Sequence, residues 1–401
     1  MNDIEDWDNI NLGSIFKNRK DKGHFDEELL SVTGSRGVVR RSSLDRRDTS
    51  NKDKKKYLLV KKGDLAYNTM RMWQGVSGVS ALRGIVSPAY TVCEPTERIN
   101  SEFAGYLFKD PLMISLFKKY SQGLVSDTWN LKYEKFAQIS CCLPPIEEQK
   151  KIAEILSQTR DLIYKLQRKR CKVKNLLKAK RENLFQNFYE KGDLVRVKVS
   201  DLLASKDLQL VQDGNHGEKH PTASQFIKNG IPFVMASHIK DGCFVPDKRK
   251  CLSNELTRGL RIGHSLPGDV LLTHKATIGE TCIVPKNHKE IMLSPQVTLY
   301  RLNEHSFLTA ELLKQFFSTL IFQKEILEMS GQSTRDYIGV KAQRNLHIFF
   351  PKSNSIARKI TEPLLSISEQ HLSITKQINL HNKLLSALSQ DLLSGRKRVN
   401  F

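Results

Sequence analysis

The sequence predicts an α+β protein: two similar domains joined by two long antiparallel helices, an internal repeat with approximate two-fold symmetry. Three observations lead to that fold class. First, Gly63-Asp64-Leu65 recurs as Gly268-Asp269-Val270, Ser87-Pro88-Ala89-Tyr90-Thr91-Val92 recurs as Ser294-Pro295-Gln296-Val297-Thr298-Leu299, and Leu131-Lys132 and Ile139 are echoed by Val340-Lys341 and Ile348. The period, roughly 207 residues, is far above that of solenoid repeats, so each copy is a whole domain plus a helix. Second, short strand-like runs (Leu58-Leu59-Val60, Leu65-Ala66-Tyr67, Tyr90-Thr91-Val92-Cys93) are interrupted by helical stretches around Phe103–Phe108 and Met113–Phe117 without regular strand–helix alternation. Third, each copy is followed by a proline and then by a long segment whose apolar residues step alternately by three and four.

In chain order, residues 1–145 form the first domain, 146–190 the central helix, 191–351 the second domain and 352–401 the C-terminal helix. The central helix starts after Leu143-Pro144-Pro145-Ile146-Glu147-Glu148-Gln149, where prolines precede the first turn and carboxylates sit at the positive end of the dipole. Its predicted seam is Ile152, Ile155, Thr159, Leu162, Leu166, Lys169, Val173, Leu176 and Lys180, with Gly192 as the stop. The C-terminal seam is Ile360, Leu364, Ile367, His371, Ile374, Ile378, His381, Leu385, Leu388 and Leu392 before Gly395, with Pro363 marking the start of the helix proper. Each helix is expected to be on the order of 55 Å long, and two single-seam helices bury those seams most simply against each other as a coiled-coil spacer.

The charge balance narrows the partners. Among 401 residues, 64 Lys and Arg face 43 Asp and Glu, a net charge of +21. A field of that size points to nucleic acid, whose binding is dominated by phosphate neutralisation and counterion release. No apolar run reaches membrane-spanning length and Met1–Asp6 is not a signal peptide, so a cytoplasmic location is expected. Seven cysteines without a Cys-x-x-Cys pair suit free thiols. His216 and His220 are four apart, but Gly217, the nearby Asp213-Gly214 and Pro221 make this a loop without a third ligand, so no metal site is expected.

The densest cationic run lies between Arg36 and Lys62, with Arg36, Arg40, Arg41, Arg46, Arg47, Lys54, Lys55 and Lys56 as candidate phosphate contacts; the alternative is a solvated loop. Arg71, Trp73 and Gln74 are placed to reach base edges, arginine favouring guanine and glutamine adenine, with core packing as the alternative for Trp73. In the second copy the candidates are Asn215, His216, Lys219 and His220, then His274, Lys275 and Thr277 after the second Gly-Asp strand. Gln332, Ser333, Thr334 and Arg335 follow in a Gly-led loop that corresponds to Gln122–Asp127. The basic stretch Lys165–Arg181 on the central helix is either a solvated face, a backbone contact or a dock for an acidic surface.

No Gly-x-Gly-x-x-Gly, Walker motif or Asn/Asp-Pro-Pro-Tyr/Phe motif occurs, and Pro246-Asp247 lacks a following Glu-x-Lys, so no catalytic residues are assigned. The proline-proline-Ile-Glu-Glu-Gln run, with Asn68-Thr69-Met70-Arg71-Met72-Trp73-Gln74-Gly75, Gly84–Tyr90, Asp213–Gly217, Gly230-Ile231-Pro232-Phe233 and Ala276–Gly279, resembles the specificity subunit of type I restriction-modification enzymes over essentially the whole chain. That resemblance implies two target-recognition domains, each reading half of a split, asymmetric double-stranded DNA site. It also implies a helical spacer that docks two methyltransferase subunits and optionally two restriction subunits, with S-adenosylmethionine, ATP and Mg on those partners and no cofactor on this chain. By the same resemblance Pro144, Pro145, Glu147, Glu148 and Gln149 are the docking residues. Before the second helix, Phe350–Arg358 replaces that acidic proline-rich start, a departure from the family pattern.

Overall fold

In a computed structural model the chain is described for residues 6–45, 53–125, 128–216, 220–245, 247, 250–331 and 337–399, and it divides into two units, 1–167 with 376–401 and 168–375. The first unit contains β1 (Asp8–Asn11), α1 (Leu12–Ile15), β2 (Phe16–Asn18), β3 (Leu30–Thr33), β4 (Gly37–Arg40), β5 (Leu58–Val60), β6 (Leu65–Asn68), β7 (Ser77–Val79), β8 (Gly84–Val86) and β9 (Tyr90–Pro95). There follow α2 (Ser101–Leu107), α3 (Pro111–Tyr120), α4 (Tyr133–Phe136), β10 (Ser140–Leu143) and the start of α5 (Ile146–Glu190). Its main sheet is antiparallel, in the order β2-β9-β6-β7, while β1 pairs with β10 and brings the two ends of the domain together. Phe16, Phe108, Phe117 and Phe136 fill the core behind that sheet. Each fully buried side chain of this size contributes roughly 1.5–3 kcal/mol.

The second unit contains β11 (Leu194–Lys198), α6 (Val199–Ala204), β12 (Leu208–Asp213), β13 (Ile231–Val234), β14 (Ile239–Lys240), β15 (Cys243–Phe244), β16 (Cys251–Leu252), α7 (Asn254–Gly259), β17 (His264–Ser265), β18 (Val270–Lys275) and β19 (Thr277–Ile283). It continues with β20 (Ile291–Leu293), β21 (Val297–Leu302), α8 (Ala310–Phe317), α9 (Leu320–Ser330), α10 (Val340–Gln343), β22 (His347–Pro351) and the start of α11 (Asn354–Leu393). Its antiparallel sheet, β12-β21-β18-β19, sets counterpart strands in the order of the first, and β11 pairs with β22 as β1 does with β10. An additional mixed sheet, β16-β13-β20-β17, is built largely from the segment between β12 and β18.

Backbone hydrogen bonds set the register between the copies. Leu131 donates its N–H to Thr69 and Ile338 to His274; Leu12 donates to Ile139 and Val199 to Leu346. The counterparts of Leu131 and Ile139 are therefore Ile338 and Leu346, two residues before the Val340 and Ile348 expected from sequence. Interchangeable aliphatics let the sequence comparison slide; the hydrogen bonds do not.

The repeated Gly-Asp pair is a structural anchor. Gly63 and Gly268 have φ of +92° and +93°, which glycine adopts without a Cβ penalty. The following carboxylates are buried and each accepts a backbone N–H three residues back, Lys61 for Asp64 and Leu266 for Asp269, both at 2.7 Å. Each also receives an arginine fork, but from a different place. Arg19, just after β2, binds Asp64 at 2.8 and 3.1 Å, whereas Arg301 in β21 binds Asp269 at 2.8 and 2.7 Å. The Asp269 bond holds the Arg301 guanidinium above its ordinary pKa despite burial. The place of Arg301 is taken in the first unit by Glu94, which itself pairs with Arg19 at 3.0 Å.

The helix α5 has 45 residues and α11 has 40, about 68 and 60 Å at the standard rise and so longer than expected. Gly192 at φ +72° ends α5, with Asp193 N–H bonded to Phe188 O and Gly192 N–H to Tyr189 O, a Schellman closure. The helix α11 does not start at Pro363; it runs from Asn354 with the proline inside. Proline leaves one carbonyl a turn earlier without its N–H partner, and the helix here tolerates that loss. In the first unit Leu392 and Leu393 of α11 share a buried cluster with Ile152 and Leu156 of α5; in the second, Ile360 and Leu364 share one with Phe185. The expected α11 seam is buried or half-buried throughout, but in α5 Leu162 and Leu176 are exposed, and Leu156 and Ile163 are buried instead. Among the described residues no helix is long and apolar enough to cross a membrane.

Candidate nucleic-acid interface

In the first unit a groove of about 470 Å³ opens between the segment after β2, the loop after β6, the Ser-Pro turn before β9 and the loop leading into α4. Lys20, Lys22, Lys56 and Lys132 line it with Arg19, Thr69, Met70, Tyr90 and Asn130; Glu134 is the one acid in its lining. The four lysines are exposed, and none pairs with a carboxylate among the described residues. Unneutralised ammonium groups converging on a concave surface focus positive potential where a phosphate backbone would lie.

The cationic run from Arg36 to Lys62 is divided by the fold. Lys56 enters this groove, but Arg36 sits on the β3–β4 turn and lines a separate cavity of about 800 Å³ with Lys62, Lys109 and Arg160. Burial pulls the Lys109 amine below its ordinary pKa, and it donates to the carbonyls of Gly34, Gly75 and Ser77 at 3.1, 2.6 and 2.9 Å. Arg40 pairs with Glu28 at 3.0 Å, and Arg41 and Lys54 are half-buried, whereas Lys55 is exposed. Arg46 and Arg47 lie outside the described residues.

After Thr69 and Met70, which line the groove, Arg71 and Gln74 are exposed. Trp73 is half-buried: its Nε1–H donates to Met70 O at 3.0 Å, and its ring meets Trp129 edge-on at 5.3 Å. With its only donor spent on the backbone, Trp73 shapes the loop and has no hydrogen bond left for a base.

The corresponding place in the second unit carries different chemistry. His216 Nε2 lies 2.7 Å from Asp213 Oδ2, Lys275 is exposed with its Nζ 5.5 Å from the Tyr337 ring centroid, and Thr277 is exposed. His220 is exposed and stacks on Phe233 at 5.6 Å. Ala276, between β18 and β19, holds φ +68°, a conformation costly for a residue with a Cβ and of the kind that collects at functional turns. Two candidates turn inward. Asn215 is buried with its Nδ2 donating to Ile262 O at 2.6 Å, and His274 is fully buried against Tyr337, ring centroids 5.4 Å apart. Neither has surface to offer a base: Asn215, in the loop after β12, is tied down by its hydrogen bond, and His274 belongs to a strand buried at every position but its last. Lys219 and Gln332, Ser333, Thr334 and Arg335 lie outside the described residues.

The proposed docking run is likewise mostly internal. Glu148 is fully buried: it accepts from Arg398 Nε and Nη2 at 2.8 and 2.9 Å and from Trp7 Nε1 at 3.2 Å. Gln149, also buried, accepts from Asn100 N–H and donates to Arg98 O and Pro144 O. These two side chains knit the C-terminal tail and the start of α2 to the head of α5, because a carboxylate and an amide at 0–1% exposure need internal partners. Pro144 is buried too, which leaves Pro145 and Glu147 on the surface.

Residues 4–175 match the family model described as the type I restriction modification DNA specificity domain. The matched stretch spans the first unit's domain and the first part of α5. Two specificity subunits of type I restriction enzymes from Methanocaldococcus jannaschii are similar to it. MjaIX is 24% identical over 324 residues, spanning 76% of this chain and 71% of that one; MjaVIII is 23% identical over 418 residues, spanning 98% and 94%. The crystal structure of a type I restriction-modification S subunit from M. genitalium shares the fold at a TM-score of 0.60 and 12% identity, covering 98% of this chain and 97% of that one.

Among the groove residues, sequence reasoning missed Lys20, Lys22 and Lys132. The first two belong to a basic hexapeptide, Lys17–Lys22, overshadowed by the denser run downstream; Lys132 is isolated in sequence and joins them only through the loop leading into α4. The buried His274 yields a pH prediction. Burial lowers its pKa from 6.5 to about 4, against a partial opposing pull from Asp213. A histidine depressed on folding contributes stability that is fully present above its unfolded pKa and is lost as pH falls through the window from 6.5 to 4. The second unit is expected to lose on the order of 3 kcal/mol across that window through this group. In His274→Thr, which installs the first unit's Thr69 residue type, denaturant unfolding should show a correspondingly flatter pH dependence between 6.5 and 4; an unchanged slope would exclude His274 as the source.

Proposed function

We propose that this chain is the non-catalytic DNA specificity subunit of a type I restriction-modification system, reading an asymmetric bipartite target with one half-site per unit. The observation that carries the reading is that two sheets of the same strand order present different polar side chains at one place: lysines at the groove of the first, an acid–histidine pair with Lys275 in the second. Readers diverge in this way, keeping the scaffold and changing the loops. The helices α5 and α11 are the antiparallel spacer of an approximately two-fold repeat; each has one stretch packed in each unit. Along them dock two methyltransferase subunits, bearing S-adenosylmethionine, and optionally two restriction subunits using ATP and Mg, with Pro145 and Glu147 on the docking surface.

Exchanging residues 191–351 for the equivalent segment of a relative tests this. In cells that supply the methyltransferase subunit, genomic methyl-adenine mapping is expected to show one half-site replaced and the other retained. A change in both halves, or in neither, defeats the independent-reader assignment.

A further inference from the structure

This inference rests on the specificity-subunit reading and concerns how the second unit recognises a base. Arg19 N–H bonds Val92 O, and Gln212 pairs with Leu299, the counterpart of Val92, so Asp213 stands where the first unit has Lys20. The position that carries a groove lysine in the first unit therefore carries a carboxylate in the second. The Asp213 side chain is only 10% exposed and lies 2.7 Å from His216 Nε2, whereas the His216 side chain is 51% exposed. In the tautomer in which Nε2 donates to the carboxylate oxygen, Nδ1 is the acceptor nitrogen of the ring. The segment below is held rigidly. Gly214 packs where any Cβ would overlap the Leu293 carbonyl, and Asn215 is tied to Ile262 O. Close by, His274 is fully buried with neither ring nitrogen partnered among the described residues, and Asp213 acts electrostatically on both His274 and Tyr337.

We propose that His216 is a specificity-determining residue, its Nδ1 accepting a hydrogen bond from an exocyclic base amine in the second unit's half-site, with Asp213 as the positioning residue that sets its tautomer. In the major groove that amine is adenine N6 or cytosine N4; guanine O6 and thymine O4 present acceptors and are rejected.

The test uses the chain assembled with its methyltransferase subunits. Once the wild-type motif is mapped, His216→Ala should relax a single base pair of one half-site, with about a tenfold loss of discrimination there. Asp213→Asn should relax the same base pair, and His216→Gln, which keeps an acceptor, should retain part of the selectivity. Duplexes in which each adenine of that half-site becomes purine, or each cytosine becomes 2-pyrimidinone, distinguish the two amines. The wild type should lose about tenfold in affinity for one of them, and His216→Ala should be indifferent to it. A motif left equally strict by His216→Ala, or equal loss of both half-sites in the Ala and Gln variants, overturns the assignment. A wild-type complex that marks no motif would overturn the specificity reading and the dyad together, whereas a strict wild-type motif that His216→Ala leaves unmoved overturns the dyad alone.

Discussion

Replacing Lys20, Lys22, Lys56 and Lys132 together by glutamine is expected to weaken DNA binding by the assembled complex on the order of a hundredfold at physiological salt, with cognate and scrambled duplexes affected alike. The four ammonium groups share one groove with a single acid in its lining, so each is available to displace a counterion from a phosphate. A salt titration supplies the sharper readout: the slope of log affinity against log salt should flatten by about 3 to 4, close to one unit per lost phosphate contact. Selectivity between sequences should barely move, in contrast to substitutions at exposed Arg71 or Gln74, which should relax one base position. A salt slope identical to wild type would mean that DNA does not lie in this groove.

Arg398→Ala is expected to destabilise the first unit by about 3 kcal/mol, because it strips the fork from a carboxylate that has no access to water. For a unit of this size that corresponds to a fall in melting temperature of roughly 10 °C, measurable by calorimetry on the full chain. Arg398→Lys keeps the charge but not the two parallel bonds and should fall between the two. Glu148 also holds Trp7 near the N-terminus, so the loss should extend to β1, seen as faster amide exchange over Asp8–Asn11. A melting temperature within a degree of wild type would place the pair among surface salt bridges of negligible worth.

How far the chain could be read without its fold differs from helix to helix. In α11 the seam read from the sequence is the one buried or half-buried, with Ile360, Ile367, Ile374 and Ile378 each isolated between polar neighbours and the doublets Leu364-Leu365, Leu384-Leu385 and Leu392-Leu393 completing it. In α5 the doublets Ile155-Leu156, Leu162-Ile163 and Leu176-Leu177 allow two alternations of three and four, and burial takes Leu156 and Ile163 and leaves Leu162 and Leu176 outside. Periodicity cannot choose between adjacent leucines; the face offered by the packing partner does. The candidate site shows the same limit. Of the polar candidates, Arg71, Gln74, Lys275 and Thr277 are exposed, but the equally polar His274 at the end of β18 and Asn215 after β12 point inward.

By itself the sequence determined what depends on near neighbours. It marked the Gly-Asp and Ser-Pro strands, the proline start of α5, the glycine stops of the long helices, and a net charge that calls for a polyanionic partner. Those features follow from backbone conformation, capping and composition, which act over a few residues or none. Only the tertiary structure decided which cations share a groove, which arginine closes each buried aspartate, and that Glu148 and Gln149 clasp the chain itself. The bond from Glu148 to Arg398 spans 250 residues and that to Trp7 spans 141. A buried carboxylate takes whatever cation the fold carries to it, and no local rule names a partner so far away.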